Sequence, residues 1–305
     1  MNRELPVWRS LLYVPVNVER FVNKAHTRGA DCIQLDLDDS VPPAEKDRAR
    51  TLVQGAAARV RRGGADVMVK INRPLALAVR DIEAAVCPQV DGLAISKADG
   101  PGHVRLLDEL VSGLEEKAGV TPGHTRFVVM IEGPQAFFEM RAIAQASPRV
   151  VGMNIGDEDF ALECGMTPDG EALLPAKQQM IIAARAAGVM PLGFIDSVAD
   201  FSDWDRFRAM VRKSRRLGFD GASCVHPGQV KIVNEEYRPA EDEVAYARRV
   251  VEADREATRA GRGSFQIDGR MIDVPVVVRA QRLLARHQAI LAREAKSQAA
   301  AASGP

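Results

Sequence analysis

The sequence predicts an α/β protein, a (β/α)8 barrel of the TIM type with a helical extension at its C-terminal end. Eight short apolar runs alternate with amphipathic stretches between residues 11 and 225, and this alternation is typical of a barrel. A Gly-x-Gly-x-x-Gly sequence, which marks the first turn of many open doubly wound sheets, does not follow any of the runs. We therefore favour the barrel over the open sheet.

The eight predicted strands are short apolar runs bounded by polar residues or glycine. They cover residues 11–16, 32–37, 67–71, 92–96, 127–131, 150–155, 191–195 and 222–225. Between them, apolar residues recur at three- and four-residue spacing, which predicts helices. These helices cover residues 44–61, 76–85, 102–118, 136–146, 172–187 and 204–217.

The chain continues well beyond the eighth strand. We predict a helix from residue 239 to about residue 260, a hairpin over 265–273 that turns at Asp268-Gly269, and a last helix to about residue 296. We assign residues 1–235 to the barrel and residues 236–305 to the extension. Because closing a barrel does not need this extension, we expect it to cover a site or a neighbouring subunit.

Composition excludes several classes of function. Lys plus Arg and Asp plus Glu number 41 each, so net charge favours neither nucleic acid nor a membrane surface as a partner. The four cysteines are far apart and include no Cys-x-x-Cys pair, which argues against a zinc site and a disulfide framework. No apolar run approaches the roughly 18 residues of a spanning helix. We expect a reduced, cytoplasmic protein.

Charged residues follow nearly every predicted strand, and in a barrel these positions share one rim. Several carboxylates with few histidines suit a hard divalent cation, and we predict Mg²⁺. A cation such as Lys70 or Arg73 would offset negative charge on a substrate, so the rim suits an enolate or an α-keto acid. The charged rim residues are Asp36, Asp38, Asp39, Lys70, Arg73, Lys97, Glu132, Asp157, Glu158, Asp159, Asp196 and His226.

Several of these residues have two interpretations. Glu132 either binds the metal or pairs with an arginine at the barrel mouth. Of the three acids at 157–159, one or two would face the site and the others would favour a helix dipole. Lys97 either clamps the substrate or is an internal counter-ion for the acids. His226 begins His-Pro-Gly-Gln, which we interpret as a turn with a structural histidine.

Motifs spread over almost the whole chain resemble those of the citrate lyase beta-subunit-like family, within the aldolase/citrate lyase group. They occur in the family's order, which makes the match specific at family level. The matching stretches are residues 9–15, 35–41 with Lys46 and Arg50 after them, 131–132, 147–152, 156–159, 218–230 and 268–275.

The resemblance implies a Mg²⁺-dependent carbon–carbon lyase that converts a 3-hydroxyacyl-CoA, such as malyl-, citramalyl- or citryl-CoA, into an α-keto acid and an acyl-CoA. It implies Glu132 and Asp159 as metal ligands and an α-keto acid held by backbone N–H groups at Glu158 and Asp159. It also implies that Asp273 is an acid–base group supplied by a neighbouring subunit of a homotrimer or homohexamer. With Lys70 as the second catalytic residue, the expected substrate-binding residues are Lys70, Arg73, Glu132, Glu158, Asp39 and Lys97.

This chain departs from the family pattern on the rim. Lys70 stands where the family usually has arginine, which keeps the charge but loses the two-pronged hydrogen bonding, and Arg73 is the nearest compensating group. Two alternatives therefore stay open. One is a thioesterase acting on the same substrates, and the other is a beta-type subunit that is active only inside a larger lyase complex.

Overall fold

Eight parallel strands form the centre of the computed structural model, which describes residues 4–196, 203–261 and 263–302. All eight predicted strands are confirmed, although the seventh is shorter than predicted because Gly193, with φ of 140°, leaves the extended conformation. The strands are β1 (Ser10–Pro15), β2 (Cys32–Asp36), β3 (Asp66–Ile71), β4 (Gly92–Ile95), β5 (Arg126–Ile131), β6 (Val150–Ile155), β7 (Met190–Pro191) and β8 (Ala222–Cys224).

The strands are arranged in a ring. Their order is β7-β6-β5-β4-β3-β2-β1-β8, so each strand from β1 to β7 lies beside its sequence neighbours. The two outer strands meet where the Asp220 N–H donates to the Pro191 carbonyl at 2.9 Å and the Gly193 N–H donates to the Gly221 carbonyl at 2.8 Å. This closure confirms the predicted barrel and leaves no free sheet edge between β7 and β8.

Each strand has an inner and an outer face. In β3, Val67, Val69 and Ile71 belong to the large apolar layer between sheet and helices, whereas Met68 belongs to a smaller cluster inside the barrel. The period of two therefore turns Lys70 inward, above Met68. The other inner residues are Trp8, Leu11, Cys32, Ala94, Val128, Met130, Val151, Met190 and Leu192.

Helices cover the outer face of the ring. None of the helices in the described ranges is long and apolar enough to cross a membrane. They are α1 (Glu19–Ala25), α2 (Lys46–Val60), α3 (Leu75–Ala85), α4 (Pro101–Ala118), α5 (Pro134–Phe138), α6 (Met140–Gln145), α7 (Asp157–Cys164), α8 (Gly170–Ala187), α9 (Trp204–Leu217), α10 (Pro227–Glu236), α11 (Glu241–Arg259) and α12 (Val274–Ala302).

Two helical predictions need correction. The predicted helix over 136–146 is interrupted at Glu139, whose φ of −105° and ψ of 7° separate α5 from α6. The interpretation of His226-Pro-Gly-Gln as a turn is wrong, because these residues begin α10. His226 caps this helix, its Nδ1 accepting from the Gly228 N–H at 3.1 Å, and Pro227 occupies the first helical position, where its missing N–H costs nothing.

The chain forms two compact units, residues 1–237 with 297–305, and residues 238–296. The smaller unit contains α11, a hairpin of β9 (Phe265–Ile267) and β10 (Arg270–Ile272), and most of α12. Asp268 and Gly269 both have positive φ, 50° and 75°, as a tight hairpin turn requires. Position 262, in the loop predicted before the hairpin, lies outside the described residues. That the extension begins at 236 and covers a neighbouring subunit stays a prediction.

Candidate active site

The carboxyl ends of the strands surround a cavity of about 990 Å³. Because inward-facing residues alternate along a strand, Lys70 follows Met68 in β3 and Glu132 follows Met130 of β5. Asp36, at the end of β2, lies beside Lys70 in the register of the two strands. The predicted convergence of charged groups is therefore present, and the cavity is the size of a small-molecule site.

Glu132 is a buried carboxylate of this cavity. It is only 4% exposed, and one of its oxygens, Oε2, accepts the Lys97 N–H at 2.7 Å. Burial, with the negative charge of Asp159 adding to it and Lys70 opposing it, raises the pKa of Glu132 to about 7. Space for this side chain depends on Gly156, because a Cβ there would lie 2.5 Å from Glu132 Oε1.

Asp159 lies in the first turn of α7 and also lines the cavity. Its Oδ1 is 2.9 Å from the Lys97 Nζ, and this hydrogen bond raises the pKa of Lys97. The backbone of Lys97 has φ of 48°, a conformation that residues other than glycine rarely adopt. Glu132 and Asp159 thus share one lysine, which contacts the first through its backbone and the second through its ammonium group.

The other two acids of α7 have different surroundings. Asp157 Oδ2 is 2.8 Å from the Nζ of Lys177, a lysine that is 2% exposed. Burial raises the pKa of Asp157, and the charge of Lys177 opposes this rise. Glu158 is exposed at the cavity wall. Asp157 is therefore held in an internal ion pair that joins α7 to α8. Of the three acids, Asp159 is the one that we group with Glu132 as a candidate cation ligand.

Lys70 is the buried cation of the site. Its Nζ lies 3.2 Å from Asp38 Oδ2, 2.5 Å from Asp39 Oδ2 and 6.0 Å from the centre of the Tyr13 ring. Burial alone would lower the pKa of Lys70, but Tyr13, Asp38 and Asp36 together with the Asp39 hydrogen bond raise it above its usual value. The ammonium group is therefore permanently charged at physiological pH.

A chain of hydrogen bonds fixes the loop that carries Asp38 and Asp39, the partners of Lys70. Lys46 Nζ donates to the Leu37 carbonyl at 2.8 Å, and Asn72 Nδ2 donates to the same carbonyl at 2.9 Å. Asn72 in turn donates to Asp81, whose other oxygen accepts from Arg50 Nε at 2.6 Å. Asp81 is fully buried, so this chain of contacts leaves little freedom at the end of β3.

Arg73 is not brought to the cavity. Its guanidinium pairs with Asp99, which also lies 3.3 Å from His103 Nδ1, and Arg73 is not among the described residues that line the cavity. The loop after β4 engages this arginine through Asp99. Arg73 therefore does not lie where it would compensate for the lysine at position 70.

The cavity is also lined by residues that the sequence analysis did not select. Tyr13 lies on the inner face of β1 between Lys70 and Ser223, and Phe21, Lys24 and Arg28 come from α1 and the turn after it. Alternation along β1 was a signal for Tyr13. Helix α1 has only seven residues, with Val22 and Ala25 buried, so periodicity did not reveal it.

His226 and Asp273 occupy contrasting positions. His226 lines the cavity while its Nδ1 caps α10, and its ring centre is 5.9 Å from that of Trp204. Asp273 lies in the smaller unit, directly after β10, and its carbonyl accepts the N–H groups of the first turn of α12. Its neighbours Met271 and Val274 are 68% and 67% exposed.

The donor set fits a hard divalent cation. Two carboxylates, Glu132 and Asp159, line the cavity together with Asn154, whose buried Oδ1 accepts no hydrogen bond from any described residue. Within the described ranges, no three His, Cys, Asp or Glu side chains are grouped to hold a metal. In enzymes Mg²⁺ is usually bound by one or two carboxylates, and water and substrate fill its remaining coordination positions.

Comparison with known proteins agrees with this fold. Residues 9–227 match the family described as HpcH/HpaI aldolase/citrate lyase. The citrate lyase subunit beta of Leuconostoc mesenteroides subsp. cremoris is 34% identical over 287 residues, which cover 93% of this chain and 94% of that protein. A (3S)-malyl-CoA thioesterase of Cereibacter sphaeroides is 32% identical over 296 residues, 96% of this chain and 99% of that protein.

A solved structure is similar over nearly the whole chain. It is protein CitE from Mycobacterium tuberculosis in complex with magnesium, acetoacetate and coenzyme A, with a TM-score of 0.71 and 28% identity. The similarity covers 94% of this chain and 99% of that one. The predicted resemblance is confirmed, and the chain belongs to the HpcH/HpaI aldolase/citrate lyase family.

Proposed function

We propose that this protein is a Mg²⁺-dependent carbon–carbon lyase that cleaves a 3-hydroxyacyl-CoA into an α-keto acid and an acyl-CoA. The observation that carries the proposal is the placement of two carboxylates, Glu132 and Asp159, and a buried ammonium group, Lys70, around one cavity. Cleavage of this kind needs a cation at the forming carbonyl and a positive charge at the forming enolate. The similarity to a structure that contains magnesium, acetoacetate and coenzyme A supports both the metal ion and the acyl-CoA of this proposal.

Glu132 and Asp159 would hold the metal ion, and Asn154 Oδ1 is a further oxygen beside them. Bound Mg²⁺ would polarise the carbonyl oxygen of the keto acid and stabilise negative charge that develops there. The N–H groups of Glu158 and Asp159, in the first turn of α7, would bind the carboxylate of the same acid. The acidic side of the cavity would thus bind the half of the substrate that becomes the keto acid.

Lys70 would bind the other half. In the cleavage direction, a base removes the proton of the 3-hydroxyl group, the carbon–carbon bond breaks, and its electron pair forms the thioester enolate. The enolate oxygen then needs a cation that does not lose its proton, and Lys70 meets this condition because its pKa is raised. Protonation of the enolate carbon yields the acyl-CoA. Asp39, which holds the Lys70 ammonium, would keep it aimed at this oxygen.

The basic mouth of the cavity supports a coenzyme A thioester as the substrate. Lys24 and Arg28 line the same cavity as Glu132, and Phe21 beside them is 47% exposed. Two cations attract the phosphates of coenzyme A, and an exposed aromatic ring offers a stacking surface for its adenine.

Asp273 would act as the acid–base group from a neighbouring subunit. It is flanked by two exposed apolar side chains, Met271 and Val274, which provide a docking surface that a single copy leaves in water. A homotrimer or homohexamer would bring Asp273 of one subunit to the active site of the next. Co-expression of Asp273→Ala and Glu132→Ala chains tests it, because mixed oligomers that share sites regain part of the activity. No recovery in purified mixed oligomers would exclude action in trans.

Two alternatives have specific support. The relative named (3S)-malyl-CoA thioesterase favours hydrolysis of the thioester, which would release free coenzyme A. The relatives named citrate lyase subunit beta favour a subunit that requires partner proteins. Both predict the same cavity, so only the products and the need for partners separate them.

A product screen tests the proposal. The purified chain is incubated with Mg²⁺ and malyl-, methylmalyl-, citramalyl- or citryl-CoA, with EDTA and Glu132→Ala as controls, and the products are identified by mass spectrometry. We expect an acyl-CoA with a keto acid from at least one substrate, and neither product in the controls. If no thioester yields an acyl-CoA and Glu132→Ala changes nothing, the proposal is wrong.

A further inference from the structure

Lys97 contacts both of the carboxylates that we assign to the metal. Its backbone N–H donates to Glu132 Oε2 at 2.7 Å, and its Nζ lies 2.9 Å from Asp159 Oδ1. The two contacts respond differently to the binding of a cation. The N–H is neutral and remains compatible with a metal on the other oxygen of Glu132, whereas the ammonium group is a positive charge at a position that a metal ion needs.

The backbone conformation of Lys97 places these two groups together. Among the described residues, Lys97 and Asp268 alone combine positive φ with a side chain. Asp268 is explained by its hairpin turn, whereas Lys97 lies in the turn that directly follows β4. Left-handed backbone at a residue other than glycine is concentrated at functional sites, where surrounding contacts hold it. Here the contacts are the two carboxylates.

Exposure distinguishes Lys97 from the other lysine of the site. The Lys97 and Asp159 side chains are 47% and 33% exposed, so the ammonium group can leave the carboxylate and be hydrated at once. Lys70, whose side chain is 7% exposed, has no such route to solvent. The Lys97–Asp159 pair is therefore exchangeable, whereas the Lys70 pairs are fixed.

We propose that the Lys97 ammonium group is an internal counter-cation that occupies Asp159 in the metal-free protein and is displaced when a divalent cation binds. The inference rests on the proposed metal site at Glu132 and Asp159. It assigns Lys97 a positioning role before the metal binds, because its charge offsets the repulsion between two carboxylates that face one cavity. It also means that Lys97 competes with the metal and weakens its binding.

Calorimetric titration of Mg²⁺ into the EDTA-treated full chain tests the inference without measuring turnover. We expect Lys97→Gln to bind Mg²⁺ roughly three- to tenfold more tightly than the wild type, since a half-exposed ion pair and one repelling charge are removed. Lys97→Asn should behave alike, because asparagine tolerates positive φ. Lys97→Arg should stay within about twofold of the wild type, since the competing charge remains.

Lys231→Gln is the matched control, because Lys231 is a helical surface lysine whose side chain is 84% exposed. It removes the same charge from a residue outside the cavity lining and should leave Mg²⁺ binding unchanged. Unchanged or weaker Mg²⁺ binding by both neutral Lys97 variants, in protein whose wild type binds Mg²⁺ and whose Glu132→Ala variant does not, would overturn this inference alone. Absence of Mg²⁺ binding by the wild type would instead overturn the proposed function on which it rests.

Discussion

Gly156→Ala is the substitution that tests most finely how Glu132 is placed. An alanine Cβ at 156 would lie 2.5 Å from Glu132 Oε1 and 2.6 Å from its Cγ. Ordinary contacts between such atoms are about 3.5 Å, so the carboxylate has to retreat by about 1 Å. The backbone itself accepts alanine without strain, because Gly156 has φ of −84° and ψ of 104°. The effect therefore comes from the contact alone.

A displacement of about 1 Å at a catalytic group costs on the order of 100-fold in rate. We expect Gly156→Ala to lower kcat/KM for acyl-CoA release by about that factor and to weaken Mg²⁺ binding in calorimetry. Gly133→Ala is the matched control, because it also adjoins Glu132, has extended backbone with φ of −145°, and its added Cβ meets no atom within 4 Å. It should retain wild-type activity.

A Gly156→Ala variant whose Mg²⁺ affinity and kcat/KM stay within about threefold of the Gly133→Ala values would contradict this prediction. Urea unfolding of both variants is measured in parallel, so that lower activity of Gly156→Ala can be separated from lower stability. Equal unfolding midpoints with unequal activity would place the effect at the carboxylate.

Three further predictions concern charge. The pKa of Glu132 is raised from 4.5 to about 7. Between these two pH values the folded metal-free protein keeps a proton on Glu132 that the unfolded chain has lost, so the free energy of unfolding falls as pH rises from about 4.5 to about 7. Glu132→Gln should remove this loss and, in urea with EDTA, gain about 2 kcal/mol over the wild type between pH 5 and pH 8. Asp81→Ala should lower the free energy of unfolding by about 3–5 kcal/mol, because it leaves Arg50 buried without this partner and removes one of the two acceptors of Asn72 Nδ2. Lys70→Met should lower kcat by roughly 100-fold or more with a smaller effect on KM, measured as steady-state acyl-CoA release.

Much of the barrel was predictable because its signals are local. Each strand carries its own apolar run, and alternation of side chains along β3 and β5 is enough to turn Lys70 and Glu132 inward. The acids of α7 were predicted to divide between the site and the helix terminus, and Asp157 lies in the first turn of α7, although its pair with Lys177 was not predicted. These outcomes depend on the period of a strand or helix and little on distant contacts.

The remaining features depend on contacts that no local pattern encodes. Whether Lys97 meets an acid or the solvent is decided by Asp159, 62 positions away, and Arg73 is drawn to Asp99 by the path of the loop after β4. The start of helix α10 was not predicted, because Pro-Gly is usual in turns but is also accepted in a first helical turn. The partner of Asp273 stays a prediction, since it would belong to a second copy of the chain.

The most direct test of the central claim is the molar ratio of the two products during turnover by the isolated chain with Mg²⁺. Quantitative mass spectrometry follows the keto acid and the acyl-CoA over time on whichever 3-hydroxyacyl-CoA is consumed. A carbon–carbon lyase releases both in equal amounts, with no free coenzyme A. Free coenzyme A appearing without a keto acid, or turnover only after partner proteins are added, would contradict the account.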